Sequence, residues 1–382
     1  MRFSKIVGQY QVKERLIRSV TENRISHTQL FFGPEGSGAL ALAVAYGQYI
    51  NCENRTEVDS CGKCPSCIKY EKLVHPDLHF SVPVAKNSER KKEALTDDYL
   101  LEWRQAFLAN PYMNIIEWME SADLENKQGL ISADEANNII RKISLKAYEA
   151  AFKVIIIWQP ERMHVSAANK LLKSFEEPPD KTLFILVTEA HDQLLQTILS
   201  RSQLIKIPPI TDEHINEVLF TLHGLNNQEA KRITHLSSGS YNSALQLLAE
   251  DSVVMDFEKD FLQWMRYCYK PSKDIDKLLQ WIDQIAQLRR EGLKNFLSFS
   301  IETVRQCVMM NYGSKELVRF DEDYFTGLGK FAPFILQTNV NGIVEELNKA
   351  YYHIERNANP KILFLDLSLK IHKLIRIAEA KK

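Results

Sequence analysis

The sequence predicts an α/β domain with a mainly parallel sheet, followed by a small helical segment and a longer all-α segment. Three observations carry this expectation. FKVIIIW and TLFILVT are continuous apolar runs of strand length, the pattern of strands buried on both faces. Such runs alternate with helical periodicity as far as Pro208-Pro209, as βαβ units do. After Pro209 only helical spacing is left, with Ile215, Val218, Leu219 and Leu222 on one face of the first helix.

From Gly8 to Asn23, Val12, Leu16, Ile17 and Val20 recur at helical spacing. Thr28 to Phe32 is a short apolar run that ends at GPEGSG, and the alanine-rich LALAVAYGQYI follows, so the order is strand, glycine loop, helix. A cysteine-rich segment comes next, then HPDLHFSVPV as a further strand. The polar stretch from about 84 to 130 has the length of an insertion. Its aromatic residues Trp103, Phe107, Tyr112 and Trp118 suit either a sheet face or a partner surface. Ser132-Ala-Asp-Glu135 has the form of a capping box and opens a helix carrying Ile139, Ile140 and Ile143. AANKLLKSFEE is a helix stopped by Pro178-Pro179, Leu194 to Leu199 a short helix, and SQLIKI a last strand. The expected division is 1–208, 209–250 and 251–382, since 382 residues exceed one ordinary core.

Apolar residues make up 45% and charged residues 25%, the balance of a soluble globular protein. Lys and Arg number 48 against 49 Asp and Glu, so no global basic field draws nucleic acid in, and any DNA contact needs a local patch or partners. No run reaches the length of a membrane span and MRFSKIVGQYQVKERL has no signal-peptide core, which makes the cytoplasm the expected location.

Cys52, Cys61, Cys64 and Cys67 are spaced C-x8-C-x2-C-x2-C. Four thiolates suit tetrahedral zinc and leave no position open for water, so the expected ion is structural. Cys268 and Cys307 fall in helical stretches and read as core.

Residues 33–40 read G-P-E-G-S-G-A-L, where a working phosphate loop reads G-x-x-x-x-G-K-[ST]. Gly33, Gly36 and Gly38 sit correctly, but Ala39 and Leu40 replace the lysine that reaches the phosphates and the hydroxyl that holds magnesium. The strand KVIIIW ends in Trp158 and Gln159, where such an ATPase needs Asp-Glu for the metal and the water. Two losses on one strand-loop-helix unit indicate a retired nucleotide site.

SHTQLFFGPEGSG, the cysteine segment, HPD, the capped helix, KVIIIWQPERM, AANKLLKSFEEPP, TLFILVTEA and ILSRSQ follow in the order of the bacterial clamp-loader subunits of the AAA+ class, which residues 1–250 closely resemble. The resemblance implies an AAA+ P-loop-type parallel-sheet domain with a zinc-binding insertion, a helical lid, and an all-α collar that oligomerises. It gives Ser200-Arg201-Ser202 the place of a Ser-Arg-Cys motif whose arginine reaches the γ-phosphate in a neighbouring subunit. Gly239-Ser240-Tyr241-Asn242 stands where the lid usually has Gly-Ser-x-Arg, so a nucleotide-sensing arginine is lost too, and Thr188 occupies a sensor position with a strand-end hydrogen bond as its expected task.

The implied function is a silent subunit of the DNA polymerase III holoenzyme, with no intrinsic ATPase and no productive ATP binding. Its implied partners are the gamma/tau and delta subunits and, through the complex, the sliding clamp and primed DNA. The alternative is a gamma/tau-like ATPase with an unorthodox loop. A zinc-based nucleic-acid module is disfavoured, since between Cys52 and Tyr70 the bases Arg55, Lys63 and Lys69 are matched by Glu53, Glu57 and Asp59.

Overall fold

Five short strands pair into one sheet. The structure, a computed structural model, describes residues 1–86, 94–125, 127–249, 257–269, 271–288, 290–313 and 327–379. They form two compact units, Met1–Leu245 and Gln246–Lys382. The expected boundary at 250/251 and part of the 84–130 stretch lie outside the described residues.

In the first unit the strands are β1 (Thr28–Phe32), β2 (Leu78–Ser81), β3 (Lys153–Trp158), β4 (Thr182–Thr188) and β5 (Gln203–Lys206). All pair in parallel, in the order β2-β3-β4-β1-β5. The helices are α1 (Tyr10–Thr21), α2 (Ala39–Ile50), α3 (Pro65–Glu71), α4 (Leu100–Ala109), α5 (Ile115–Ser121), α6 (Ala133–Ser144), α7 (Val165–Glu176), α8 (Gln196–Leu199), α9 (Asp212–Thr221), α10 (Asn227–Ser237) and α11 (Tyr241–Ala249), whose last four residues fall past the end of this unit. Successive strand residues point to opposite faces. Phe31, Ile156 and Ile185 therefore join the core with α1, α2, α4 and α5, and Leu30, Ile155 and Phe184 join the core with α6 and α7. Burial on both sides explains why these strands read as unbroken apolar runs.

Several local expectations shift. The N-cap of α6 forms, Ser132 Oγ accepting from Glu135 N at 3.2 Å, but the Glu135 carboxylate turns away and accepts from Thr96 N at 3.0 Å. The box is thus half made, and its acid ties the insertion to α6. Ile140 is exposed, because the buried stripe of α6 passes through Ile139 and Ile143. Leu222 is exposed because α9 ends at Thr221, one residue before the expected stripe is complete.

Asp77, ahead of β2, is buried and accepts backbone bonds from Tyr148 (2.6 Å), Glu149 (2.9 Å) and Ala150 (2.9 Å). Burial pushes its carboxyl up, but those N–H groups outweigh it and hold the group below its ordinary value. The segment they fix leads directly into β3.

The second unit contains α12 (Phe257–Tyr269), α13 (Pro271–Ile285), α14 (Arg290–Tyr312), α15 (Leu328–Phe331), α16 (Val340–Glu355) and α17 (Pro360–Glu379). Trp264 and Trp281 stack with centroids 5.3 Å apart, and Trp264 Nε1 donates to Ser368 Oγ at 2.8 Å. Cys268 and Cys307 are fully buried core thiols, each pushed up to about 12 by burial.

Candidate functional site

Ligands of open parallel sheets bind beyond the carboxyl ends of the strands. Here those ends bring together Phe32, Trp158 and Thr188 with the glycine loop between β1 and α2. Gly36 and Gly38 have φ of 70° and 85°, left-handed values that a side chain strains to adopt, and Gly38 caps α2. Gln9 Nε2 donates to Ser37 O at 3.0 Å and to Pro208 O at 2.7 Å, joining the loop to the segment that leads into α9.

The space above the loop is already filled. A Cβ at Gly38 would lie 2.9 Å from Tyr112 Cε1, and one at Gly36 would collide with Ser240. Tyr241 N donates to Gly36 O at 3.1 Å. The Tyr112 and Tyr241 rings meet edge to face at 4.9 Å, and the Tyr112 hydroxyl accepts from Val7 N at 2.9 Å. Burial pushes the Tyr112 phenol up. The cavity left over the loop is about 20 Å³, room for about one water and far below the roughly 300–1,000 Å³ of a small-molecule site.

The strand end at Trp158 and the position of Asn242 are packed with protein as well. Trp158 is buried with its ring centroid 5.4 Å from that of Trp103, which also meets Trp118 at 5.1 Å. Asn242 is buried and bonds Asn110 (2.6 Å) and Glu117 (2.9 Å). Trp103, Phe107 and Trp118 thus cover one sheet face, and Tyr112 covers the loop, the first of the two roles that the sequence left open. Thr188 Oγ1 donates to Glu161 Oε2 at 2.7 Å and accepts from Ala190 N at 3.0 Å, the strand-end role expected of it. Glu161, whose carboxyl burial raises, carried no signal in the sequence beyond its nearness to the strand end.

Arg201 lies between α8 and β5, with its side chain about one-third exposed. Its Nε donates to Glu176 Oε2 at 3.0 Å and its Nη1 to Thr197 O at 3.1 Å. Ser200 and Ser202 only close local turns, donating to Thr197 O (3.2 Å) and Ile198 O (2.8 Å). The partner Glu176 is the last residue of α7, inside the SFEEPP run.

The Sγ atoms of Cys52, Cys61, Cys64 and Cys67 all lie within 4.8 Å of one another. A tetrahedron of sulfurs about 2.3 Å from zinc has edges of about 3.8 Å, so the set fits that ion. Backbone amides point at the sulfurs: Cys61 N at Cys52 Sγ (3.2 Å), Cys64 N at Cys61 Sγ (3.3 Å) and Cys67 N at Cys64 Sγ (3.4 Å). Such donors favour thiolates. The module is also pinned to the start of the chain, Asp59 accepting from Phe3 N (3.0 Å) and Ser4 N (2.9 Å).

The first unit thus brings together a parallel sheet, a glycine loop between β1 and α2, a helical segment against that loop, an arginine ahead of the edge strand and a four-cysteine module. Particular relationships follow. The model of the family described as DNA polymerase III, delta subunit, matches residues 8–211, and the chain belongs to that family. It is 26% identical over 214 residues to DNA polymerase III subunit tau of Bacillus subtilis (strain 168), covering 56% of this chain and 30% of that protein. To subunit delta' of the same organism it is 28% identical over 213 residues, 55% of this chain and 51% of the relative. With subunit delta' of Escherichia coli (strain K12) it shares 23% identity over 308 residues, 81% of this chain and 77% of the relative. The chain thus spans about a third to a half of the Bacillus relatives' length. Among the described residues, no helix is long and apolar enough to cross a membrane.

Proposed function

We propose that the chain is a delta-prime-type subunit of the DNA polymerase III clamp loader, silent as an ATPase, that acts in DNA replication by completing a neighbour's active site. The observation that carries this reading is the contrast between a surface arginine kept in its motif and a glycine loop without its chemistry. Arg201 is held by two weak, exposed partners, while Ala39, Leu40 and Trp158 stand where phosphate and metal ligands belong.

ATP bound by an adjacent gamma/tau subunit closes the ring. Arg201 then leaves Glu176 and spreads its permanent charge over the γ-phosphate oxygens, which gain charge in the transition state. The assembly, with its delta subunit, opens a sliding clamp and places it on primed DNA. Residues 1–208 serve as the nucleotide-binding-like domain, 209–250 as the lid and 251–382 as the oligomerising collar. Zinc on Cys52, Cys61, Cys64 and Cys67 closes the module structurally, and the protein works in the cytoplasm. The kinship with tau keeps a second reading in view, an ATPase with an unorthodox loop, which tight Mg-ATP binding by the isolated chain would support.

The test is the clamp- and primer-stimulated ATPase of the reconstituted loader, with the wild-type chain and with Arg201→Ala at equal assembly. A fall of about 10³-fold or more at sites completed by this chain is the expected result. An unchanged rate removes Arg201 from the reaction.

A further inference from the structure

Three regions that a nucleotide site depends on, the glycine loop, the end of β3 and the lid, are each met by one continuous segment. Leu100–Ser121 places Tyr112 against Gly38, directly before Ala39 and Leu40. The same segment sets Trp103 against Trp158 at the strand end, and Asn110 and Glu117 on Asn242 in the lid. We infer that this segment is a resident plug, which fills the nucleotide site with protein and fastens the lid to the glycine loop without a ligand.

The polar contacts form a continuous chain across the loop, the insertion and the lid. Asn114 Nδ2 donates to Glu35 Oε1 at 2.8 Å, and Asn114 Oδ1 accepts from Ile116 N and Glu117 N at 3.0 Å each. Glu117 Oε2 accepts from Asn114 N and from Asn242 Nδ2, both at 2.9 Å. Asn242 Oδ1 accepts from Asn110 Nδ2 at 2.6 Å, and Asn110 Oδ1 accepts from Tyr112 N at 3.0 Å. Of these groups the Asn114 and Asn242 amides are buried, where an unpaired amide is costly, and here the protein itself supplies their partners. A nucleotide entering this site has to displace the Tyr112 ring and break that chain. The loss of loop chemistry is therefore one barrier to binding, and occupancy is a second. This inference does not depend on whether Arg201 reaches a neighbour.

The test measures binding of fluorescent mant-ADP with magnesium to the full chain by anisotropy. Three proteins are compared: wild type, the double variant Ala39→Lys/Leu40→Thr, and the same double variant carrying Tyr112→Ala. Wild type and the double variant are expected to show no saturable binding at millimolar ADP, and the triple variant at least tenfold tighter binding. Equal binding by the double and triple variants overturns the plug. So does a triple variant that keeps the wild-type melting temperature and binds nothing. Hydrogen exchange on the unmodified chain provides a measurement that no substitution can compromise. The amides of residues 36–42 are expected to be protected like those of β1 and indifferent to added ADP. Rapid exchange there, or protection that appears only with ADP, overturns the inference.

Discussion

Replacing Asp77 by Asn isolates what one buried carboxylate contributes to the sheet. Asp77 accepts three backbone bonds from residues 148–150, at 2.6, 2.9 and 2.9 Å. An amide of the same shape keeps one acceptor oxygen and turns an NH₂ toward at least one of those N–H groups. One to two charge-assisted bonds are lost, each worth about 1.5–3 kcal/mol, which gives a cost of about 1.5–6 kcal/mol. The sign with pH follows from the lowered carboxyl. Stability from such a group is fully present above the unfolded value of about 3.9 and is lost as pH falls through the folded value. Wild type should therefore hold its whole advantage over Asp77→Asn at pH 7 and pH 5, and the gap should narrow below about pH 4. Hydrogen exchange in β3 is the assay, because two compact units need not unfold in one step. Equal exchange of residues 153–158 in the two proteins at pH 7 would refute the reasoning, as would a gap that widens on acidification.

Strong chelation should release one zinc per chain and raise exchange in residues 52–67 and also in residues 3–5, since Asp59 binds Phe3 N and Ser4 N. A chelated protein with unaltered exchange in both segments counts against a structural ion. Arg201→Ala should change stability by no more than about 1 kcal/mol, because its ion pair with Glu176 is exposed; thermal melting checks this and keeps the ATPase test readable. Trp158→Asp should destabilise the first unit by more than about 3–5 kcal/mol, combining a lost core ring with a buried carboxylate among Trp103 and its neighbours. Wild-type melting of that variant speaks against the packing described.

The strands and most helices of the first unit were legible because both sheet faces are covered, which makes apolar runs continuous and local. The glycine loop and the cysteine spacing were legible because their chemistry is written in adjacent residues. What the insertion does was not legible. Trp103, Tyr112 and Trp118 show that something is buried, but Trp158, Gly38 and Pro83 O, which they meet, lie far away in sequence. Periodicity reports which face of an element is apolar, not which surface it meets. The pairing of Glu176 with Arg201 was hidden for the same reason. Leu222 was misplaced because a stripe extrapolated by spacing does not know where its helix stops.

The plug also bears on how the site could be altered. A change toward Asp at Trp158 or Arg at Asn242 meets a position that the insertion already packs against, and Lys at Ala39 would follow a glycine that Tyr112 covers. Neighbouring substitutions of this kind are not additive. On the plug inferred above, regaining a nucleotide site takes coupled changes in the loop and in Leu100–Ser121, because restoring the loop residues alone leaves the Tyr112 ring in place.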